Sequence, residues 1–358
     1  MRNEYVINNI VNHVIAISEQ KTTSKGLCLL LGAGADITSG GKTFRNLKID
    51  FLKTNGYDVA SDIEDQKLTE CFDVCVEKFS EVGRCIELDS IMRKYSEPSE
   101  GYELIVLLAE LGYIDAIITT NFDLLLEETE KKLGMRPFDV FAPGVAIPKD
   151  FYERRQNHHP IYMKLHGVLY GRYVSHLTKN EIETKEYGSE FVRMLTYILQ
   201  NYAVISVGYG GYDDLIVDIF KNNVHAMNTV FWCDIREPNA SAPLVELLEK
   251  HNKLNYVNSS FDTLLCELAG NLLKNKDLPD TNPHFIPSII NAKTKEKNRI
   301  YSNQKLLENE ILREDLIKKL ECFLTDINDH LVFLHGKKGM GKTTLLRQVI
   351  KYYKELSF

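Results

Sequence analysis

The sequence predicts an α/β protein built on a doubly wound parallel sheet, and three observations predict it. Apolar, strand-like runs alternate with helically periodic segments between residues 26 and 275. The first run, residues 26–32, is apolar without alternation, the pattern of a strand covered on both faces. It ends in Gly32-Ala33-Gly34, a turn that lets backbone approach a ligand beyond the carboxyl end of a strand.

The bulk of the sequence narrows the class further. A chain of 358 residues has room for two domains, or for one large domain with an appendage. A net charge of −7 argues against nonspecific nucleic-acid binding as the main task. No apolar stretch is long enough to cross a bilayer, and the start of the chain, with Glu4, Asn8 and Asn9, lacks the form of a signal peptide, so a cytoplasmic protein with no membrane contact is expected. The cysteines, Cys28, Cys71, Cys75, Cys85, Cys233, Cys266 and Cys322, form no Cys-x-x-Cys pair; buried free thiols are expected, without zinc or a disulfide framework.

Taken in order, residues 1–20 place Val6, Ile10, Val14 and Ile17 on one helical face. The first strand follows, with a helix expected to begin at its glycine turn and add free N–H groups and a positive dipole end. Residues 46–112 are charged and helically periodic, read as a helical insertion that ends in an apolar helix over 102–111. Strands are expected at 114–119, 161–165, 202–207, 229–234 and 254–257, with helices at 123–133, 189–200, 213–226 and 244–250 between them. A helix at 261–275 closes a first domain, 1–275; residues 276–303, with Pro279, Pro283 and Pro287, read as a linker to a second, 304–358. In that second part a charged helix (304–326) precedes a strand at 331–334.

Chemistry-bearing residues gather at the strand ends. The second strand runs into Thr119-Thr120-Asn121-Phe122-Asp123, the third into Lys164-Leu165-His166-Gly167, the fourth into Gly208-Tyr209-Gly210-Gly211, and the fifth closes at Asp234. Asn121 carries a donor and an acceptor, suited to orienting a hydroxyl or a water, and His166 is the side chain type that titrates nearest neutrality. Each also has a local reading: Asn121 and Asp123 as N-caps of the helix that follows, His166 as a turn residue, Asp234 as a turn residue or a ribose acceptor. His158 and His159 sit in a polar loop and read as solvated.

Together with Gly32-Ala33-Gly34 and Thr43-Phe44-Arg45, this set resembles the sirtuin family of NAD-consuming enzymes over about residues 20–275. The resemblance implies a Rossmann-like sheet, NAD⁺ as substrate, and catalytic roles for Asn121 as the ribose- or water-orienting amide and His166 as the general base. It implies cofactor contacts from Gly32, Ala33, Gly34, Asp36, Phe44, Arg45, Thr120, Asp123, Gly208, Tyr209, Gly210 and Asp234, with Asp123 on the nicotinamide carboxamide and Phe44 and Arg45 on a mobile loop. Departures shift the expected reaction. Asp36 stands where the family has Ser, Thr120 where it has Gln, and Tyr209-Gly210 where it has Thr-Ser. A carboxylate at 36 would repel a pyrophosphate unless it points away or binds a ribose. The Cys-x-x-Cys zinc ribbon that follows Leu-His-Gly in deacylases, and shapes their acyl-peptide cleft, is missing. Water is then the simplest acceptor and ADP-ribose the expected product; deacylation, ADP-ribosyl transfer and noncatalytic NAD or ADP-ribose sensing are the alternatives.

Residues 336–343 read Gly-Lys-Lys-Gly-Met-Gly-Lys-Thr between an apolar strand and a helical segment, the context of a P-loop. Gly336, Gly339, Gly341, Lys342, Thr343 and Thr344 are the expected ATP contacts, with Thr343 on Mg²⁺ in a complete domain. With no second strand before residue 358 to carry a Walker B Asp, a shortened piece of a longer protein is expected. A sirtuin-like domain joined to a P-loop NTPase resembles bacterial antiviral proteins of the signal-transducing, nucleotide-oligomerising class. That resemblance implies a homo-oligomer, a phage-derived trigger binding farther along the chain, and NAD⁺ depletion as the outcome.

Overall fold

The computed structural model describes residues 2–18, 26–93, 97–134, 138–147, 160–168 and 187–273, all within one unit, Met1–Glu296. The expected linker at 276–303, the charged helix and the P-loop residues Gly336, Gly339, Gly341, Lys342, Thr343 and Thr344 lie outside the described residues, as do 169–186, the stretch following Leu-His-Gly.

Seven strands form one parallel sheet: β1 (Gly26–Leu31), β2 (Ala116–Thr119), β3 (Asp139–Phe141), β4 (Ile161–Lys164), β5 (Tyr202–Val207), β6 (Val230–Asp234) and β7 (Leu254–Asn258), in the order β3-β4-β2-β1-β5-β6-β7. The chain winds outward from β1 in both directions, so the order reverses between β1 and β5. The carboxyl side of that reversal is where open α/β sheets bind ligands.

Both faces of β1 are covered, which is why its sequence shows no alternation. Leu27, Leu29 and Leu31 face a layer made by α1 (Arg2–Ser18), α5 (Glu100–Glu110), α6 (Leu125–Leu133) and α10 (Phe261–Leu272). Cys28 and Leu30 face the other layer, α7 (Ser189–Asn201), α8 (Asp214–Asn223) and α9 (Pro243–Lys250). Each such leucine, at most 2% exposed, contributes roughly 1.5–3 kcal/mol by burial. On α1, Ile10 and Val14 are buried as the periodicity requires.

The helical region divides differently from the sequence expectation. Helices α2 (Phe44–Thr54), α3 (Asp65–Val76) and α4 (Glu81–Arg93) share their own core around Phe51 and Phe72, whose rings meet edge-on at 5.4 Å. The apolar helix α5 instead belongs to the sheet layer, buried from Tyr102 to Ala109 except at Glu103. The helix expected at the glycine turn is replaced by a single 3₁₀ turn, Ile37–Ser39. Gly40, at φ 76°, ends it, and α2 begins only at Phe44, capped by the Thr43 side chain on Asn46 N–H at 3.3 Å. Strand β3 was not expected: three residues starting at exposed Asp139 are too short to show a period.

The register sets the site. Lys164, Thr119, Leu31 and Val207 lie in one row across β4, β2, β1 and β5. The residues immediately beyond that row all leave the same edge of the sheet.

Candidate functional site

Two glycine turns meet at the reversal point. Gly34 N–H donates to Gly208 O at 2.9 Å, and a methyl group on Gly208 would stand 2.4 Å from Ala35 N, while one on Gly32 would stand 2.6 Å from Gly208 O. Gly208 also has φ 59°, a conformation other residues adopt at a cost. The glycines are thus needed first for backbone to touch backbone. The result is a concave wall on which the N–H groups of Ala33, Gly210 and Gly211 find no acceptor among the described residues. Successive unpaired N–H groups form an anion cradle.

That wall bounds a cavity of about 650 Å³, within the range of sites for cofactor-sized ligands. Thr120 and His166 also line it, with Tyr187, Tyr209, Asp213 and Asp234. His166 is 8% exposed; its Nε2 lies 3.1 Å from Asp213 Oδ2, and its ring packs 5.9 Å from that of Phe122. Asp213 is the N-cap of α8, its Oδ1 accepting from Ile216 N–H at 3.2 Å. Burial, and then the Asp213 charge, push the Tyr187 and Tyr209 phenols up, so both stay neutral.

A second, much smaller chamber of about 30 Å³, room for one or two waters, is lined by Asp36 and Asp123. Asn121 joins the two compartments. Its Nδ2 donates to Gly32 O at 3.1 Å and to Asp36 Oδ2 at 2.9 Å, and its N–H donates to Thr119 Oγ1 at 3.0 Å. Tyr102 donates its hydroxyl to Asp36 from the sheet-layer helix α5. Burial raises the Asp36 carboxyl well above the usual carboxylate range, and the Asp123 carboxylate beside it pushes the same way; the Tyr102 hydroxyl and Lys164 only partly oppose this. Asp123 Oδ1 accepts from Leu125 N–H at 2.9 Å. Lys164, fully buried, donates to Asp123 O at 2.5 Å and to Glu127 Oε1 at 2.8 Å.

The expected site residues therefore fall into three groups. Gly32, Ala33, Gly34, Thr120, His166, Gly208, Tyr209, Gly210 and Asp234 line the large cavity. Asn121, Asp36 and Asp123 form the buried cluster behind it, so the Asp36 carboxylate points away from the cradle. Phe44 and Arg45 are at neither place. The Phe44 ring packs against Phe72 and Phe122 at 5.9 and 6.0 Å, and Arg45 is held by Asp65 and by the carbonyls of Ser61 and Ile63. Both belong to the core and surface of the α2–α4 subdomain. Asp234 fills its turn role through Oδ1, which accepts from Arg236 N–H at 3.0 Å. Its other oxygen has no partner among the described residues, so the two readings of Asp234 coexist.

Asp213, Lys164 and Tyr102 escaped the sequence reading. Asp213 was visible only as the start of a helical pattern, and Lys164 and Tyr102 looked like ordinary members of a strand and a helix. Among the described residues no group of three His, Cys, Asp or Glu could hold a metal ion, and no helix is long and apolar enough to cross a membrane.

Residues 115–257 match a family model described as a SIR2-like domain, a span from the start of β2 into the last strand, β7, that contains Asn121, His166, Asp213 and Asp234. No curated protein matches the sequence. Among solved structures, a Sir2 homologue S24A mutant–ADP-ribose complex is similar at 14% identity, covering 74% of this chain and 96% of that one, with a TM-score of 0.45. A Sir2 homolog–NAD complex is similar at 15% identity, covering 76% and 95%, with a TM-score of 0.44.

Proposed function

We propose that this chain is an NAD⁺ glycohydrolase, releasing nicotinamide and ADP-ribose at the large cavity. The observation that carries the reading is that one cavity is lined by two unlike kinds of group. N–H groups of Ala33, Gly210 and Gly211 that have no acceptor among the described residues fit a pyrophosphate, and His166 lines the same cavity, next to the strand end that carries Asn121. The SIR2-like match over 115–257 supports NAD⁺ as the dinucleotide.

The chemistry asks little of a general acid. As the C1′–N bond breaks, its electrons return to the pyridinium ring, and nicotinamide departs neutral. Positive charge moves to the ribose, where water adds and loses one proton to a base. His166 is the side chain placed to take that proton. Asn121, with its amide nitrogen committed to Gly32 O and Asp36, keeps its carbonyl oxygen as the acceptor that can orient water or a ribose hydroxyl. Asp213 in the cavity and the Asn121 carbonyl at the adjoining strand end suit a developing cation. In the fuller reading, ATP and Mg²⁺ at Lys342 and Thr343 drive assembly of a homo-oligomer after a phage-derived trigger, which raises the rate of NAD⁺ destruction.

The test is product analysis of NAD⁺ incubated with the full chain, with no protein acceptor. Nicotinamide and ADP-ribose should appear in equal amounts, and Asn121→Ala and His166→Ala should each lower the rate by about 100-fold or more. Consumption that requires an acylated-lysine peptide, or turnover unchanged in both variants, would overturn the reading.

A further inference from the structure

We infer that Asp36 is a positioning residue for Asn121, holding the catalytic amide in one orientation without itself touching the dinucleotide; the inference rests on the NAD⁺-hydrolysis reading of the large cavity. Asp36 lines the small chamber and not the large cavity. The Asn121 amide has one atom that donates and one that accepts. Its Nδ2 meets two acceptors, Gly32 O at 3.1 Å and Asp36 Oδ2 at 2.9 Å. With both N–H bonds committed, the carbonyl oxygen is the atom that remains for water or a ribose hydroxyl. A flipped amide would press that oxygen against the Gly32 carbonyl, which cannot donate. Gly32 lies on the backbone of the cavity wall; the second hold is a side chain 85 residues from Asn121 in the chain.

The chain around Asp36 is built to turn this carboxyl inward. Asp36 stands at the N-cap of the 3₁₀ turn Ile37–Ser39, a place where aspartate commonly caps, yet its side chain makes no cap hydrogen bond. Gly40, at φ 76°, closes the turn, and a methyl group on Gly41 would stand 2.4 Å from Asp36 Cβ. The missing side chain at 41 leaves the room that Asp36 takes. Its other oxygen, Oδ1, accepts from the Tyr102 hydroxyl, and Tyr102 sits in the sheet-layer core with its ring 5.0 Å from that of Phe261. Tyr102, Asp36 and Asn121 are all buried, so water competes little for these bonds. The run Tyr102–Asp36–Asn121 thus ties an amide at the sheet edge to a helix of the core. Burial and the neighbouring Asp123 favour the neutral Asp36 carboxyl, so an uncharged acceptor suffices at this place.

The test compares NAD⁺ turnover by variants of the full chain. Asp36→Leu has a similar shape and no acceptor; it should lower kcat by about 30-fold and leave KM within about twofold. Asp36→Asn keeps an oxygen for the Asn121 amide and offers its NH₂ group to Asp123, so it should recover activity to within about fivefold of wild type. In an Asn121→Ala background, Asp36→Leu should lower the rate by no more than about twofold further, because no amide is left to position. Tyr102→Phe removes one hold on Asp36 and should lower kcat by roughly threefold, again only when Asn121 is present. A wild-type kcat in D36L, a D36N protein as slow as D36L, or losses that multiply with N121A would overturn the assignment. If D36L melts below the assay temperature, Tyr102→Phe carries the same comparison, and an effect that persists without Asn121 overturns it. Asn121→Ala separates the two ideas. Wild-type turnover there sinks the catalytic role of Asn121 and the positioning role with it, whereas turnover lost in N121A but kept in D36L sinks the positioning role alone.

Discussion

The two compartments behind and in front of the β1 turn are built from opposite materials. The large cavity is walled at the reversal point by backbone: glycines that touch, and N–H groups without acceptors among the described residues. The small chamber is made of side chains, with Asp36, Asn121, Asp123 and Tyr102 in one hydrogen-bonded cluster and Lys164 beneath it. Backbone can hold an anion of any kind, and it tolerates almost no substitution where strands cross so closely. Buried side chains can orient one amide and tune one carboxyl, and their stability depends on every partner being present. Asn121 belongs to both compartments, through Gly32 O on one side and Asp36 on the other. It therefore reports on either.

The largest effect should come from breaking the side-chain compartment at its only buried ammonium among the described residues. Lys164→Met keeps most of the volume but leaves the Asp123 carbonyl and the Glu127 carboxyl without their donor. Burial already pushes the Glu127 carboxyl up, and Lys164 is what draws it back. Removing one member of a buried pair costs about 3–5 kcal/mol. Urea titration at pH 7 should show that loss. A variant as stable as wild type would mean that the cluster is no more than a solvated set of polar groups.

A smaller effect should follow from breaking the backbone compartment. Gly208→Ala places a methyl 2.4 Å from backbone atoms that cannot turn aside, at a residue with φ 59°. Strain and overlap together should cost about 2–3 kcal/mol and push the two turns apart. NAD⁺ affinity, followed by calorimetry in the Asn121→Ala background to suppress turnover, should fall at least about 10-fold, equivalent to roughly 1.4 kcal/mol. Lys164→Met should change that affinity far less. Equal losses of affinity in both variants would show that the compartments act as one.

The same contrast explains how much could be read in advance. The cavity was legible because glycine, Asn and His have few reasons to stand together at successive strand ends, and because parallel strands bring their carboxyl ends to one edge. Six of the seven strands follow from strand-like segments between helical patterns; β3 does not, because three residues carry no period. The destination of Asp36 was not legible. Its partner Tyr102 lies 66 residues away on a helix whose apolar composition advertises only burial. The pairing of Asp213 with His166 is likewise a product of topology, made when β4 and the β5 loop come to the same edge. Phe44 and Arg45 illustrate the opposite error. Their local pattern suits a cofactor loop, but an aromatic beside a hydrophobic subdomain is drawn into its core, here onto Phe72 and Phe122.

The smallest effect isolates burial from pairing. Glu130 on α6 is a third buried carboxyl, 5% exposed, outside both compartments, with its Oε1 accepting from Phe138 N–H at 2.7 Å. Burial raises it to about 8 from 4.5, against that hydrogen bond, whereas Asp36 is raised by burial and by a neighbouring carboxylate. In each case the folded state holds the proton more tightly than the unfolded chain. Stability is therefore complete below the unfolded value and falls as pH rises, for Glu130 between about 4.5 and 8. Glu130→Gln stays neutral and keeps an oxygen for Phe138, so it should match wild type at pH 4.5 and melt about 3 °C higher at pH 8, roughly 1 kcal/mol. The slope that remains in this variant belongs to Asp36 and its neighbours. A melting profile made flat by Glu130→Gln alone would show that Asp36 holds its charge on folding, and that the chamber behind Asn121 is an ionised pair.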